Sequence, residues 1–589
     1  METTISAVQS VAASSQAVVS NQVESSALLL VLGISGLLAM AVLVMPLATR
    51  LKIPFTVMLA SLGILLGLGA NLVLEYVETG FLAEFVYSLY SLEITSEAVF
   101  FVFLPALVFE SALSIDVRRL FDDISSILML AILGLLISTA IVGFAMSEYT
   151  GVALLVCTLL GAIVSATDPV AVVAIFKDLG APQRLAILVE GESLFNDATA
   201  IVAFTILTSM ILGESDPTFF SGMLSFLKVF IGGTLVGYFL ARITCFLLAR
   251  VGNSNLPKIT LTISLAYLSF IIAEHTLHVS GVMAVVTAAL VLGSRGRSVI
   301  SQSTWHGLEE VWEQIGFIAN SVIFILVGLK VPSILADMTS QHINWLMVLL
   351  VAGFAARFLI IFALIPTLSA IGWSASVSTG YRTVMFWGGL RGAVSLALAL
   401  AVMENDAFAP ETQQFIGVMV TGFVLFTLAV NATTVQWVMR AMGLADLSPM
   451  DAAVRDRAFS SAMENVTERV KSAASAKEIS SDQASMVVEP YEKMLAEMAG
   501  EQDESDIDHE QWLVIGLRMI CMSENKAYSK MFDRGEIPTD IARYLFRQGA
   551  DLSDSLRHCS VSAYTENYQD NLKFHWRTKA ALILSLIHI

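Results

Sequence analysis

Long apolar runs recur along this chain, and their length constrains its fold more than any other feature. About 20 apolar residues suffice for a helix to cross the hydrocarbon core of a bilayer, and a helix satisfies its backbone hydrogen bonds internally. The runs lie near 27–49, 53–74, 96–113, 124–146, 152–175, 184–212, 219–249, 257–274, 279–294, 312–332, 344–370, 378–403 and 412–439. We therefore predict an all-α polytopic membrane protein with about thirteen transmembrane helices in a lipid bilayer.

Composition agrees with this class and excludes others. Hydrophobic residues make up 56% of the 589 residues and charged residues only 14%, which is far more apolar than a soluble domain of this length. The net charge of −18 argues against nucleic-acid binding. Catalytic nucleophiles, metal clusters and phosphate-binding glycine loops are not evident, so we expect neither an enzyme nor a cofactor.

Charges in the connections predict the orientation of the chain. Every second connection carries Lys or Arg, whereas the intervening connections are acidic, with Lys330 as their only basic residue. The basic connections contain Arg50, Lys52, Arg118, Arg119, Lys177, Arg184, Arg250, Lys258, Arg295, Arg297, Arg382 and Arg440. By the positive-inside rule the N-terminus is outside and the C-terminus is cytoplasmic, and we expect the membrane to be the plasma membrane.

Composition also divides the chain into four segments. Residues 1–26 have no Lys, no Arg and no apolar core, so we expect an extracytoplasmic tail rather than a signal peptide. Residues 27–443 form the transmembrane domain, and 444–583 have the apolar spacing of a cytoplasmic helical domain. The last six residues, 584–589, read LSLIHI and match a translated sequencing adapter, so we expect the natural chain to continue past 583.

Few ionisable residues lie within the apolar runs, and each is costly there. A charge at mid-membrane depth costs about 2.5 to 3.5 kcal/mol even on insertion scales. The residues are Glu110, Asp168, Glu190, Glu192, Asp197, Arg357 and Arg391. Acids and arginines that neutralise each other would explain them structurally, and this interpretation stays open for Arg357 with Glu110 and for Arg391 with Glu192.

Asp197 favours a functional interpretation. It follows Asn196 and lies four residues after Ser193, so one helix face carries a hydroxyl, an amide and a carboxylate. Such oxygen ligands suit a hard monovalent cation. Because a carboxylate can hold either a proton or a cation, competition between the two would be enough for exchange.

Two helix breaks give a second indication. Pro169 in SATDPV interrupts the fifth apolar run, and Gly388, Gly389 and Gly392 in WGGLRGAVS interrupt the twelfth. Pro and Gly are common in membrane helices, which would explain either break alone. If helices 1–6 and 8–13 are two inverted six-helix repeats, however, the breaks match, as in transporters whose broken helices cross at the binding site.

Several motifs resemble a known family. SATDPVAVVAIFKDLG, EGESLFNDATAIV, LPALVFESAL, FIANSVIFILVGL and FWGGLRGAVSLALAL resemble the monovalent cation/proton antiporters, in the electroneutral sodium/proton exchanger branch. The likeness covers 27–443 and includes bacterial relatives of the plant plasma-membrane salt-tolerance antiporters. AYSKMFDRGEIPTDIARYL is similar to the helical domain that follows the membrane region in the plant proteins. A cyclic-nucleotide-binding-like domain often comes next in such relatives, and this chain ends before one would fit.

The resemblance implies roles for individual residues. Asp197 would bind the ion and the proton, with Asn196, Ser193 and Thr167 around it and Na⁺ held at Asp197, Ser193 and Thr167. Asp168 would lie where the broken helices cross and balance their dipoles.

The resemblance also implies a scaffold and a stoichiometry. Arg391 would pair with Glu192 and Arg357 with Glu110. The residue before Asp197 is Asn196 rather than a second Asp, which in the family accompanies electroneutral one-for-one exchange.

We therefore expect a homodimeric antiporter that exchanges Na⁺, and also Li⁺, for H⁺ by alternating access. The alternative is a K⁺-selective exchanger or a channel-like K⁺ transport protein, which would use the same oxygen atoms. A membrane receptor with a degenerate transporter body is a further alternative. It should lack the Asn196–Asp197 pair, which is intact here.

Overall fold

A computed structural model describes most of the membrane region. It covers residues 31–444 except 52, 77–95, 180, 182, 214–218, 252–254, 297–299, 337 and 372–376. Beyond 444 it covers 509–533 and isolated positions between 463 and 552. Within these residues every regular element is a helix, and this confirms the predicted all-α class.

Sixteen helices are used below, numbered in chain order. They are α1 (Val31–Leu51), α2 (Phe55–Tyr76), α3 (Val99–Ser114), α4 (Ile124–Thr150), α5 (Leu154–Ser165), α6 (Val170–Leu179), α7 (Gln183–Ile211), α8 (Phe219–Leu248), α9 (Asn255–Thr276), α10 (Gly281–Arg295), α11 (Gln302–Leu335), α12 (Ser340–Ala370), α13 (Thr379–Trp387), α14 (Ala393–Met403), α15 (Pro410–Ala441) and α16 (His509–Asp533).

Many of these helices have the length and composition of membrane spans. In the described part of the chain, nine helical segments are long and apolar enough to cross a membrane, and α2, α3, α10 and α14 contain shorter apolar stretches. One of the nine segments, Leu154–Phe176, contains α5 and most of α6. The predicted count of thirteen crossings stays a prediction.

Glycines allow several of these helices to pack closely. A Cβ atom at Gly63 of α2 would lie 2.2 Å from the carbonyl oxygen of Ile325 in α11, and one at Gly237 of α8 would lie 2.1 Å from that of Ala284 in α10. Small residues at such contacts are typical of helix association in membranes, where dispersion forces depend on close backbone approach.

Both predicted helix breaks are present. The chain leaves the helical conformation between α5 and α6, at residues 166–169, and again between α13 and α14, at residues 388–392. The two interruptions touch, because the backbone N–H of Asp168 donates to the carbonyl of Leu390 at 2.8 Å. We call α5, α6, α13 and α14 the half-helices.

The chain divides into two compact units. The first comprises 1–296 and 306–445, and the second comprises 297–305 and 446–589. In the second unit, Val514 and Cys521 of α16 pack with Leu552 in a small buried cluster. The predicted boundaries at 26 and 583 lie outside the described residues, and the boundary after 443 stays a prediction.

Candidate functional site

The broken end of α5 and the interruption after it present carbonyl groups that no helix turn can satisfy. In each case a side chain from another element supplies the missing donor. Ser395 Oγ donates to Ile163 O at 2.8 Å, Arg391 Nε to Val164 O at 2.7 Å, Asn196 Nδ2 to Ser165 O at 3.1 Å, and Ser193 Oγ to Thr167 O. Side chains thus replace the hydrogen bonds that the break removes, as a membrane interior requires.

The free carbonyl groups at the end of α13 are hydrogen-bonded in the same way. They also receive donors from side chains distant in sequence or from the interruption itself. Arg357 Nη2 donates to Met385 O at 3.0 Å, Asn431 Nδ2 to Trp387 O at 2.9 Å, and Arg391 Nη1 to Gly389 O. Arg391 therefore bridges the carbonyl ends of α5 and α13, where the helix dipole favours a cation.

Asp168 has the complementary position at the amino ends of the other two half-helices. Its carboxylate accepts from the N–H of Val170, at 3.0 Å, and from the N–H of Ala393. A Cβ atom at Gly392 would lie 1.7 Å from Asp168 Oδ2, so glycine is needed there for the carboxylate to reach α14. The positive ends of α6 and α14 thus share one acid.

The predicted ion pairs are wrong in their partners. Arg357 Nη1 and Nη2 bind the two carboxylate oxygens of Glu192, the second at 3.0 Å. Arg391 instead bonds to carbonyls and lies 5.2 Å from the ring centre of Phe423. Glu110 makes no ion pair with Arg357 and lies beside Gly316 on α11.

The physical reason for these different ion-pair partners lies in the broken backbone. Because Arg391 is within an unwound segment, the free carbonyls nearest to it take its hydrogen bonds, and Arg357 on intact α12 is left to neutralise Glu192. Sequence spacing does not reveal which helices become neighbours.

A cavity of about 320 Å³ adjoins the crossing. Its walls come from α2, α3, α6, α7, α11 and α14. Five carboxylates line it, and among the described residues that line it none is basic. These five are Glu110, Asp168, Glu190, Asp197 and Glu313.

Asp197 lines this cavity without a bonding partner among the described residues. It is partly exposed there, and within the described part of the chain its carboxylate makes no hydrogen bond or ion pair. Ser193, Thr167 and Asp168 line the same cavity. The structure therefore brings these four predicted residues together around one space.

Asn196 lies behind this group rather than in it. It is buried, and its amide nitrogen is 3.1 Å from Ser165 O and 3.4 Å from Thr167 Oγ1. These bonds fix the start of the interruption against α7. Asn196 thus orients Thr167 beside Asp197.

An apolar cluster packs beside the crossing, and two of its members, Ala166 and Val394, also line the cavity. Leu135, Ala162, Ala166, Ala200 and Ala203 form a buried cluster, to which Leu207 and Val394 are added. Ala200 and Ala203 continue along α7 from Asp197. Asp197 is accessible from the cavity, and the helix that continues from it packs into apolar surroundings.

Three residues at the crossing were not predicted. Ser395 and Asn431 donate to the broken ends, and Thr427 Oγ1 accepts from the backbone N–H of Arg391 at 3.3 Å. The sequence feature that could have indicated these three residues is a polar side chain within an otherwise apolar run.

Comparisons with known proteins agree with this architecture. The model of the sodium/hydrogen exchanger transmembrane family matches residues 5–441. Sodium/hydrogen exchanger 7 of Arabidopsis thaliana is 33% identical over 449 residues, which cover 73% of this chain and 38% of that protein. The Na⁺/H⁺ antiporter ApNhaP of Aphanothece halophytica is 36% identical over 358 residues, covering 60% of this chain and 66% of that protein. The chain thus spans less than two thirds of the length of either relative.

A solved structure shares the fold. The sodium proton antiporter MjNhaP1 from Methanocaldococcus jannaschii superimposes with a TM-score of 0.58 at 20% identity, covering 72% of this chain and all of that one. Since the family model accounts for nearly the whole membrane region, the chain belongs to the sodium/hydrogen exchanger family.

Proposed function

We propose that this protein exchanges Na⁺, and also Li⁺, for H⁺ across the plasma membrane. The observation that carries the proposal is the state of Asp197, a cavity-lining carboxylate without a bonding partner among the described residues. An unpaired acid in a membrane protein needs a counter-ion or a proton. A group that alternates between the two couples cation movement to proton movement.

The proposed cation ligands are Asp197, Ser193 and Thr167, with Asn196 and Asp168 holding the site. Hydroxyl, carbonyl and carboxylate oxygens are hard ligands suited to a small cation. Ser193 Oγ is bonded to the Thr167 carbonyl, so the hydroxyl and the interruption already lie together beside Asp197. The cations and protons are substrates, and the proposed chemistry needs no cofactor.

The proposed exchange is one for one and electroneutral. Asp168 is held by two backbone donors and Arg391 by two backbone acceptors, so both are fixed charges that balance half-helix ends. Only Asp197 then changes its bound ion. The loaded carrier has the same net charge with Na⁺ or with H⁺.

The proposed mechanism is alternating access from a cavity open to the cytoplasm. The cavity walls include the beginning of α2, the second half of α3 and the middle of α11. The connections that precede α2 and α11 and that follow α3 carry basic residues. Ala200, Ala203 and Leu207, the part of the apolar cluster that follows Asp197 along α7, would lie on the closed external side. This orientation puts the N-terminus outside and the C-terminus in the cytoplasm.

The remaining architecture is proposed on the same basis. Thirteen crossings would form two inverted six-helix repeats, with the two touching interruptions as their broken helices. The segment from 444 to 583 would be a cytoplasmic helical domain. A homodimer is proposed from the family resemblance, and the exposed apolar face of α8, which includes Leu224, Leu235 and Phe239, is available to lipid or to a second subunit.

The experiment is transport in proteoliposomes with Na⁺, Li⁺ and K⁺ compared across pH. A pH-sensitive dye inside the vesicles reports proton movement when each cation is added. We expect Na⁺ and Li⁺ to drive protons and K⁺ to do so much less. Exchange driven by K⁺ alone would replace the proposal with a K⁺-selective exchanger, and K⁺ flux without proton movement would indicate a channel.

A further inference from the structure

The cavity contains more acid than the proposed exchange uses. Asp197 and Asp168 have assigned roles, whereas Glu110, Glu190 and Glu313 also line the walls. No basic residue is among the described residues of the lining, so the negative charges of these carboxylates add to one another. Apolar, low-dielectric walls focus such a field on the space between them and raise the local concentration of cations.

Glu190 has a particular register on α7. It lies seven residues, or two helical turns of about 10 Å, before Asp197, so both occupy the same helix face. Ser193 and Leu194, between them, also line the cavity. Since α7 begins at Gln183, a cation moving along this wall towards Asp197 passes Glu190 first.

An additional hard ligand belongs to the same cavity. The hydroxyl of Thr56 is buried, with 4% of the residue exposed, and within the described residues it has no hydrogen-bond partner. A buried hydroxyl without a partner is costly. A hydrated cation or its water in the cavity would satisfy it.

We propose that Glu190 binds the incoming hydrated cation before it reaches Asp197. This inference rests on the proposed cation/proton exchange and adds the step that delivers the cation. Glu190 does not exchange its ion for a proton in the cycle. Its charge therefore sets the apparent affinity for the cation and not the rate of turnover.

The test separates affinity from turnover in proteoliposomes. Initial rates of Na⁺-driven proton movement are measured against Na⁺ concentration for the parent, Glu190→Gln and Glu190→Asp, at low ionic strength and with added choline chloride. Glu148→Gln is the matched control, because Glu148 is an exposed acid on α4 that does not line the cavity.

We expect Glu190→Gln to raise the apparent KM for Na⁺ about 3- to 10-fold at low ionic strength, with an unchanged maximal rate. The difference should shrink as choline chloride screens the charge. Glu190→Asp and Glu148→Gln should stay within about twofold of the parent. If Glu190→Gln does not fold, Glu190→Asn is compared with Glu190→Asp, since these two differ only in charge.

Three results would overturn the inference: an unchanged KM in Glu190→Gln, a loss of maximal rate at constant KM, or a raised KM that Glu190→Asp does not recover. The first result would show that the charge of Glu190 does not contribute to cation binding. The other two would indicate that Glu190 acts in gating or in packing. Each leaves exchange at Asp197 intact. Failure of the proposed function would instead appear as parent protein that moves no protons when Na⁺ or Li⁺ is added.

Discussion

Arg357 and Glu192 form a buried ion pair joined by two hydrogen bonds, and it links α12 to the helix that carries Asp197. The same guanidinium donates to Met385 O at the end of α13. One side chain thus fixes α7 to one of the half-helices. The pair lies five residues from Asp197 along α7, so its loss would disturb the site as well as the fold.

Removing one partner should destabilise the protein strongly. Arg357→Ala leaves Glu192 buried without a counter-charge, which costs about 3 to 5 kcal/mol. Thermal unfolding in detergent should show a large decrease in Tm. Replacing both residues with Arg357→Met and Glu192→Leu should recover much of the loss, since no charge is left unpaired.

An exposed arginine is the control for this comparison. Arg250 stacks on the ring of Phe246, 3.5 Å from its centre, at the exposed end of α8. Arg250→Ala should cost about 1 kcal/mol or less. Equal decreases in Tm for Arg357→Ala and Arg250→Ala would show that the buried pair is not a structural link.

Gly392 should tolerate no side chain. Gly392→Ala places a Cβ atom where Asp168 Oδ2 now lies, so the carboxylate must leave the start of α14. We expect transport to fall about tenfold or more, because small displacements at a reacting site have effects of this size. Gly307→Ala is the control, since nothing lies within 4 Å of a Cβ atom there. Similar transport by both variants would contradict the assigned contact.

Much of this architecture was accessible from the sequence. The apolar runs predicted the helices, and Pro169 and the glycines around Arg391 predicted both interruptions. A residue's helix and approximate depth follow from its place in a run.

The partners of the charged residues could not be predicted from the sequence. Which helices become neighbours depends on close contacts such as those of Gly63 with α11 and of Gly237 with α10, and these contacts have no periodic signal in the sequence. The preference of Arg391 for carbonyls over Glu192 arises only once the helices are broken and their ends exposed. Asn431 and Thr427 gain their roles in the same way, from a neighbouring element 36 to 44 residues distant.

Protons and cations should compete at the site. If Asp197 holds one or the other, lowering the pH raises the apparent KM for Na⁺, by about tenfold per pH unit once the proton occupies the free site. Saturating Na⁺ should restore the maximal rate. The measurement is the rate against Na⁺ concentration at several pH values. A fall in maximal rate with constant KM would show that the proton acts elsewhere.

The rate and the reversal point of transport should be independent of membrane voltage. One Na⁺ and one H⁺ move in opposite directions, so no net charge crosses, whereas each net charge moved would add about 2.3 kcal/mol per 100 mV. Na⁺-driven proton flux is measured with a K⁺/valinomycin clamp at several potentials. A reversal point that moves with potential would show that a second charge travels, and the fixed role of Asp168 would then be wrong.

The central claim is that Asp197 alone trades a cation for a proton, and Asp197→Asn tests it most directly. The amide has nearly the same shape but holds neither a proton nor a compensating charge at this position. The measurement is Na⁺- and Li⁺-driven proton movement in proteoliposomes, made on protein whose thermal unfolding matches that of the parent. We predict a folded variant with no cation-dependent proton movement. Substantial exchange by Asp197→Asn would contradict the account and would make Asp168 the next candidate for the exchanging group.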